Sequence, residues 1–599
     1  MCGFLFSNQP QSKEYFLSKL RMIDYRGPDC TGYKNRGDMH FGHVRLSILD
    51  LEERSNQPFN LGNLSMIYNG EIYNYLEIKE KLESLGHKFS TKSDTEVLLI
   101  GYHEWGKDIL QKINGMFSFV IYDPKNNMVF GARDRLGVKP LYYYWNHEIF
   151  EVCSQINPIA HGKNFHLDEN AISMYLDCKF IPTPYTIYKE TKKLEPGHYF
   201  QYSLVDHTFE KFSYWDLREV EPFVGTYEEA KLQLKSLLTD AVKMRLSSDV
   251  PLGSFLSGGI DSALVTAVAS KLNKEPLNTF TIGFEDETFD ESKVAEEYAK
   301  ILKTNHKTLV CNPKDILKNL PTLLKVYDEP FADNSALPSL LLNSMTKNYV
   351  TVALSGDGGD ESFLGYNHFE SLLKNKRIMS TPYFFRKLIV LALKLFYTSD
   401  SRIIRALSVK KKSEFINRIF SRMGLLLLKK KNEWLNKYQK YLSLSDDFIQ
   451  KAADLNIKLW LGDDSNVKVD RASMAYAVEV RSPFLDYRII EFARTLPVDY
   501  RIQLGNKKRI LKDLLGEHLP PEVFNLPKRG FTMPLEDWLR NELKEDVLKC
   551  INDGFLKKVP NLNIPYCKKI INDHMNHGKN HTESIWKLYI LAKWMQANN

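Results

Sequence analysis

Gly253-Ser254-Phe255-Leu256-Ser257-Gly258-Gly259-Ile260-Asp261-Ser262 is the stretch on which the reading of this chain turns. Gly253 to Leu256 reads as a short strand, Ser257 to Ser262 as a Gly-rich turn, and Ser262 to Leu272 as the helix that follows. Such a turn aims backbone N–H groups and the positive end of a helix at one point, where a phosphate chain can sit. It is not a Walker A loop, because after Gly253 and four intervening residues comes Gly258, but Gly259 and Ile260 stand where Lys and Ser/Thr are required. A turn of this kind also occurs for structural reasons alone, so its neighbours must decide.

Outward from that loop, helix and strand patterns alternate: helix Tyr227 to Leu246, strand Thr279 to Phe284, strand Tyr349 to Leu354. Alternation of this kind predicts a parallel, doubly wound α/β sheet. A second acidic turn, Ser355-Gly356-Asp357-Gly358-Gly359-Asp360-Glu361, follows the last of these strands. Both turns therefore lie at carboxyl ends of strands, where open α/β sheets bind ligands. From Phe369 to about Leu455 the pattern is helical and basic, with Lys410 to Lys412 and Lys429 to Lys431. The apolar and basic run from Arg386 to Lys431 reads most simply as solvated helix faces, with contact to an anionic membrane surface as the other reading.

Before about residue 200 the texture is strand-rich, with Phe41 to Leu51, Ser65 to Tyr68, Met116 to Asp123 and Met128 to Arg133 as candidate strands. Two helices interrupt them: Tyr75 to Leu85, which stops at Gly86, and one opened by the capping box Ser93-Asp94-Thr95-Glu96. Grouped strands with few helices predict an α+β domain of packed antiparallel sheets. The expected division is residues 2–210 and 227–599 around a polar stretch, without internal repeats.

Composition agrees with a folded protein: of 599 residues 43% are hydrophobic and 26% charged, which disfavours disorder, collagen and coiled coil. The net charge of +7 is small for this length and spread along the chain, so nucleic-acid binding is not implied. The longest apolar runs, Leu388 to Leu393 and Leu425 to Leu428, are far below the ~20 residues that span a bilayer. With no signal-peptide pattern, the expected compartment is the cytoplasm. Seven cysteines, with no Cys-x-x-Cys pair, suggest neither a disulfide framework nor a zinc site.

Cys2 stands apart from the other six. Residue 2 is small, so removal of Met1 is expected, leaving a cysteine whose free α-amine lies beside its own thiol. A thiol pKa of ~8.5 and an amine pKa of ~8 let the amine take the thiol proton during attack.

Four further segments keep company with Cys2: Arg26-Gly27-Pro28-Asp29, Gly42 to Ile48, Tyr68 to Asn74, and Arg133 to Tyr143. Together they resemble the class II glutamine amidotransferases, N-terminal-nucleophile hydrolases with an αββα sandwich. The resemblance implies that Cys2 attacks the glutamine amide and that the Asn69 side chain and Gly70 N–H form an oxyanion hole. It also implies that Arg45 pairs with the glutamine carboxylate, while Asp94 and the Asn69-Gly70-Glu71 loop hold its ammonium. The second half resembles the PP-loop ATP pyrophosphatases. There Phe255, Ser257, Gly258, Gly259, Asp261, Ser262, Ile282, Ser355 and Gly356 match nucleotide-binding positions, and Asp261 and Asp360 match magnesium ligands. Asp357 stands where some relatives carry a Glu thought to act as a base, one carbon longer.

With Asp328 to Asp333, Lys468 to Met474, Glu479 to Asp486 and Pro527 to Phe531, nearly the whole chain resembles glutamine-hydrolysing asparagine synthetase. Lys508 matches the family lysine that steadies developing charge on the phosphate. The resemblance implies ATP and Mg2+ as cofactors, glutamine and a carboxylate, aspartate first, as substrates, homodimers, and an internal ammonia channel whose lining the sequence does not give, with Arg26, Leu46 and Val480-Arg481 near motifs that face the domain boundary in the family. Relatives that amidate sugar uronates or close β-lactam rings keep the acceptor open. A non-catalytic scaffold is disfavoured by intact Cys2, Asn69, Asp261, Asp360 and Lys508.

Overall fold

The computed structural model describes residues 2–598 apart from 285–289, 312, 394–403, 405–406, 421–423, 431–433 and 526–533. The Pro527 to Phe531 segment and Lys431 lie outside the described residues.

The N-terminal half is an αββα sandwich of two six-stranded sheets. Strand Gly3–Ser7 shows why it forms. With alternation of period two, Phe4 and Phe6 enter the core between the sheets with Ile67 and Val120, while Leu5 faces the outer helix residues Phe16 and Leu20. Strand Leu64–Ile72 does the same in the other sheet. Its Met66 and Tyr68 pack against Ile78, Leu82 and Leu98 of the opposite outer helices, and Ile67 points inward.

Strand limits differ from the sequence expectation for local reasons. The candidate strand Phe41 to Leu51 is Met39–Arg45, because the Arg45 guanidinium folds the following chain around itself by binding the carbonyls of Leu49, Asp50 and Glu52. Ser65 to Tyr68 extends to Leu64–Ile72. Ser93 caps its helix by accepting from Thr95 N–H, but the box is not closed: the Glu96 carboxylate accepts from the N–H groups of Ser90 and Thr91 instead.

In the second half a five-stranded sheet, parallel throughout, runs Asn305–Cys311, Asn278–Phe284, Leu252–Phe255, Val352–Leu354, Glu479–Arg481. The chain enters at its centre and moves outward first to one side, then to the other. The switch point thus lies between Leu252–Phe255 and Val352–Leu354, the strands that feed the two acidic turns. The expected strand Tyr349 to Leu354 is only Val352–Leu354, since the Tyr349 and Val350 N–H groups still close the preceding helix on Thr346 O.

The two halves share one core. Helix Glu169–Cys178 packs on the C-terminal helix Thr582–Ala597, where Tyr175 donates to Lys587 O at 2.8 Å and Lys587 donates back to Leu176 O at 2.9 Å. Among the described residues no helix is long and apolar enough to cross a membrane.

Candidate active sites

Cys2 lies just ahead of the inner strand Gly3–Ser7, facing the second sheet. Its backbone N–H donates to Asn69 Oδ1 at 3.1 Å, and its thiol lies 3.9 Å from Leu46 O. Because the Asn69 oxygen is taken by Cys2, the amide nitrogen must point the other way. Asn69 Nδ2 is indeed buried without a hydrogen-bond partner, which leaves an unused donor beside Cys2. Gly70 follows, and a Cβ there would sit 2.2 Å from Met116 O, so only glycine lets the two strands approach. Burial pushes the Cys2 thiol up, which favours proton transfer to a neighbouring base over a resting thiolate.

The remaining predicted glutamine-site residues gather here with defined tasks. Asp94 accepts from Tyr68 O–H at 2.7 Å and Ile72 N–H at 2.9 Å, and burial raises its pKa. Burial likewise holds the Glu71 carboxyl well above the usual range, although Arg481 stands 3.2 Å away. The Arg45 terminal nitrogens are engaged by three backbone carbonyls and by Asn56 Oδ1 at 2.8 Å, so Arg45 shapes the loop that borders Cys2.

At the switch point of the parallel sheet, Asp261 opens helix Ile260–Leu272. The Ser257 and Ser262 hydroxyls meet at 2.9 Å, and Ser257 Oγ also accepts from Gly259 N–H, which fixes the curve of the loop through Gly258. Gly356 packs directly on Asp261: a Cβ there would lie 2.8 Å from the Asp261 Cβ. Ser355 Oγ is buried without a partner. Phe255 ends its strand beside the loop and Ile282 lies two residues before the end of the neighbouring strand, but the Ile282 side chain is 4% exposed and belongs to the core.

Lys508 joins the two turns. Its ammonium bonds Asp261 and lies 2.6 Å from Asp360. Burial opposes its charge, yet the two carboxylates outweigh burial and raise the lysine above its ordinary range. The residue takes φ +56°, a left-handed conformation that a β-branched or bulky residue resists, at the start of helix Arg509–Leu515. Gly365 leaves the space for this contact, since a Cβ there would fall 2.0 Å from Lys508 Cε. No cluster of three or more His, Cys, Asp or Glu side chains among the described residues forms a ready-made metal site. Two carboxylates converging on one cationic atom are instead a hard-oxygen pair suited to a divalent ion that draws its other ligands from phosphate and water.

Residues of the boundary connect the sites. Arg26 donates through Nε to Cys2 O at 3.1 Å and clasps Asp470 through both terminal nitrogens at 2.9 and 3.0 Å. Arg481 reaches Glu71 and Glu479 with its side chain, while its backbone carbonyl accepts from Ser355 N–H at 2.9 Å. One residue thereby touches a glutamine-site carboxyl and the adenylation loop. The sequence reading named Arg481 only as lying near the boundary. The signal was there: in a strand Glu479 and Arg481 share a face, and charges on a strand buried on both sides must pair with something. Between the sites lies a cavity of about 30 Å³, room for about two water-sized molecules. Tyr73, Met116 and Val138 line it from the first half, and Ser355, Asp357 and Val480 from the second. An apolar cluster of Leu46, Ile48, Met116, Val352 and Met474 continues the boundary from the Cys2 side to the sheet.

A nucleophile-first sandwich followed by a phosphate-loop sheet defines a two-domain, glutamine-dependent ATP-using ligase. Similarity to known proteins agrees: the family profile described as asparagine synthase matches residues 233–596, and that of the glutamine amidotransferase domain matches residues 1–215. The chain belongs to the glutamine-hydrolysing asparagine synthetase family. It is 32% identical to asparagine synthetase [glutamine-hydrolyzing] 1 of Bacillus subtilis (strain 168), over 100% of this chain and 97% of that protein. It is 36% identical to a putative asparagine synthetase of Methanocaldococcus jannaschii over 77% of this chain and 95% of that protein. The amidase chry2 of Gibberella zeae is 25% identical over 90% of this chain and 88% of its own.

Proposed function

We propose that this ligase converts aspartate to asparagine, using glutamine as the ammonia source. The Cys2 α-amine accepts the thiol proton, and the sulfur attacks the glutamine amide carbon. Asn69 Nδ2 and Gly70 N–H hold the oxyanion, each donor contributing about 3 to 4 kcal/mol to the transition state. Ammonia leaves, and water releases glutamate from the thioester. Arg45 and its loop take the glutamine carboxylate, while Asp94 and the Asn69 to Glu71 strand take its ammonium.

In the second site the acceptor carboxylate attacks the α-phosphate of ATP and pyrophosphate departs. The Ser257 to Ser262 loop, Ser355 and Gly356 hold the nucleotide, with Phe255 and Ile282 beside it. Asp261 and Asp360 are the residues that would hold Mg2+, which supplies charge neutralisation on the phosphates. With Asp261 and Asp360 the residues that would hold the cation, the Lys508 ammonium between them would face the α-phosphate and the developing tetrahedral centre. Ammonia attacks the acyl carbon of the adenylate and AMP departs, and Asp357, which lines the boundary cavity, takes the proton that the attacking nitrogen loses. The boundary cavity carries ammonia from one site toward the other without passing through bulk water, where it would become ammonium.

The observation that carries this reading is the pairing of an Asp261, Lys508, Asp360 bridge at the switch point with an unpartnered Asn69 donor beside Cys2; a boundary cavity lined by Tyr73 and Met116 from one half and Ser355 and Asp357 from the other supports it. An acceptor panel read by glutamine-dependent pyrophosphate release tests it. Aspartate should give the highest kcat/KM; preference for a sugar uronate or another carboxylate would reassign the acceptor while keeping the chemistry.

A further inference from the structure

Helix Tyr383–Leu393 is built inside out. At about 100° per residue, Phe384, Phe385, Leu388, Ile389 and Leu391 fall within about 160° of one face. All five are exposed, by 66, 56, 49, 45 and 57%. Of its two charged residues, Arg386 points inward at 3% exposure, where it donates to the carbonyls of Thr381 at 2.9 Å and Val409 at 2.7 Å. On the same inner side Val390 packs with Ile404 and Leu407. The orientation is therefore fixed by a buried guanidinium with satisfied donors, and the apolar face is held outward against the hydrophobic effect.

A contiguous apolar face of this kind on a soluble protein marks an interaction surface. Its surroundings indicate what it meets. Arg386 also approaches Lys410 O at 3.4 Å, so the run Lys410-Lys411-Lys412 lies against this helix, and Lys387 projects from the helix itself. All four lysines are exposed. The helix has 11 residues, about 16 Å, and cannot cross a hydrocarbon core of about 30 Å. An apolar stripe with a lysine collar is the pattern of a helix lying in the plane of a membrane interface. A second copy of the chain suits the face less well, because a twofold contact centred here brings two lysine collars together.

We propose that Tyr383–Leu393, with Lys387 and Lys410 to Lys412, is a docking surface for an anionic lipid bilayer, which would hold this ligase at a membrane surface without spanning it. The test is co-sedimentation of the full chain with vesicles of phosphatidylcholine alone or phosphatidylcholine with phosphatidylglycerol. The protein should pellet with the anionic vesicles and weaken as salt is raised. Replacing Lys410, Lys411 and Lys412 together by Gln should lower the partition coefficient about a hundredfold, at about fivefold per lysine. The variant Phe384→Ser/Leu388→Ser/Leu391→Ser should stay in the supernatant while melting at the wild-type temperature. If that variant fails to fold, the lysine variant alone decides. Wild-type protein remaining in the supernatant with anionic vesicles, or unchanged pelleting of the variants, overturns the proposal. A wild-type dimer that the serine variant dissociates overturns it too, and gives the face to a second copy.

Discussion

Lys508 is where the chemistry of this chain is most concentrated. Read from sequence, a lysine before Arg509-Ile510-Leu511 resembles an exposed helix residue, and only its family match marks it. In the structure it is buried in a left-handed conformation between two carboxylates. Lys508→Ala should lower kcat of amide synthesis about a hundredfold or more, with a smaller change in KM for ATP, because its charge acts mainly in the transition state. Lys508→Arg should be impaired as well, since a planar fork does not fit the space that Gly365 leaves. Glutaminase activity should persist in both; near-normal synthesis by Lys508→Ala would return the lysine to a structural role. Glu361 offers a pH test at the same scale. Burial, reinforced by Asp360, pushes its carboxyl up to about 7. A carboxyl raised above its unfolded value of about 4.3 adds stability that is complete below that value and lost as pH rises through about 7, roughly 3 kcal/mol in all. Glu361→Gln should therefore flatten the fall in Tm between pH 5 and 7.5, and an unchanged slope would assign the pH dependence to other groups.

Among the elements, the short strand Glu479–Arg481 couples the halves. Its side chains hold Glu71, and its backbone holds Ser355. Arg481→Met should leave Glu71 and Glu479 buried without their counter-ion and cost about 3 to 5 kcal/mol of stability. The coupling predicts that ATP and acceptor stimulate glutamine hydrolysis in the wild type and that the surviving Arg481→Met fold loses that stimulation; retained stimulation would show that coupling runs elsewhere, for instance through Arg26 and Asp470. Elements of this length explain what the sequence left hidden. Strand Leu64–Ile72 was legible in part because Met66, Ile67 and Tyr68 are apolar on both faces, strand Gly3–Ser7 was not read as a strand although Phe4, Leu5 and Phe6 have the same character, and the loop Ser257 to Ser262 was legible from its glycines. A three-residue edge strand carries no periodicity, and its Glu and Arg become interpretable only once the opposite domain supplies Glu71. The loop contacts of Arg45 were hidden for a related reason: their acceptors are backbone carbonyls of a loop, which no residue pattern announces. The Ser93 capping box failed because Glu96 found two closer N–H groups at Ser90 and Thr91.

At the scale of the whole molecule, the account requires two chemistries separated by a domain boundary and joined through it. Cys2→Ala should abolish glutamine-dependent turnover while saturating ammonium still supports pyrophosphate release; equal loss of both activities would contradict two separable sites. The most direct test follows the nitrogen itself. The enzyme is supplied with aspartate, ATP, magnesium and glutamine labelled with 15N at its amide, in a buffer containing excess unlabelled ammonium, and the product amide is read by mass spectrometry. Transfer through the boundary cavity predicts asparagine that carries 15N despite the unlabelled pool. Product labelled only in proportion to the bulk ammonium would contradict the account.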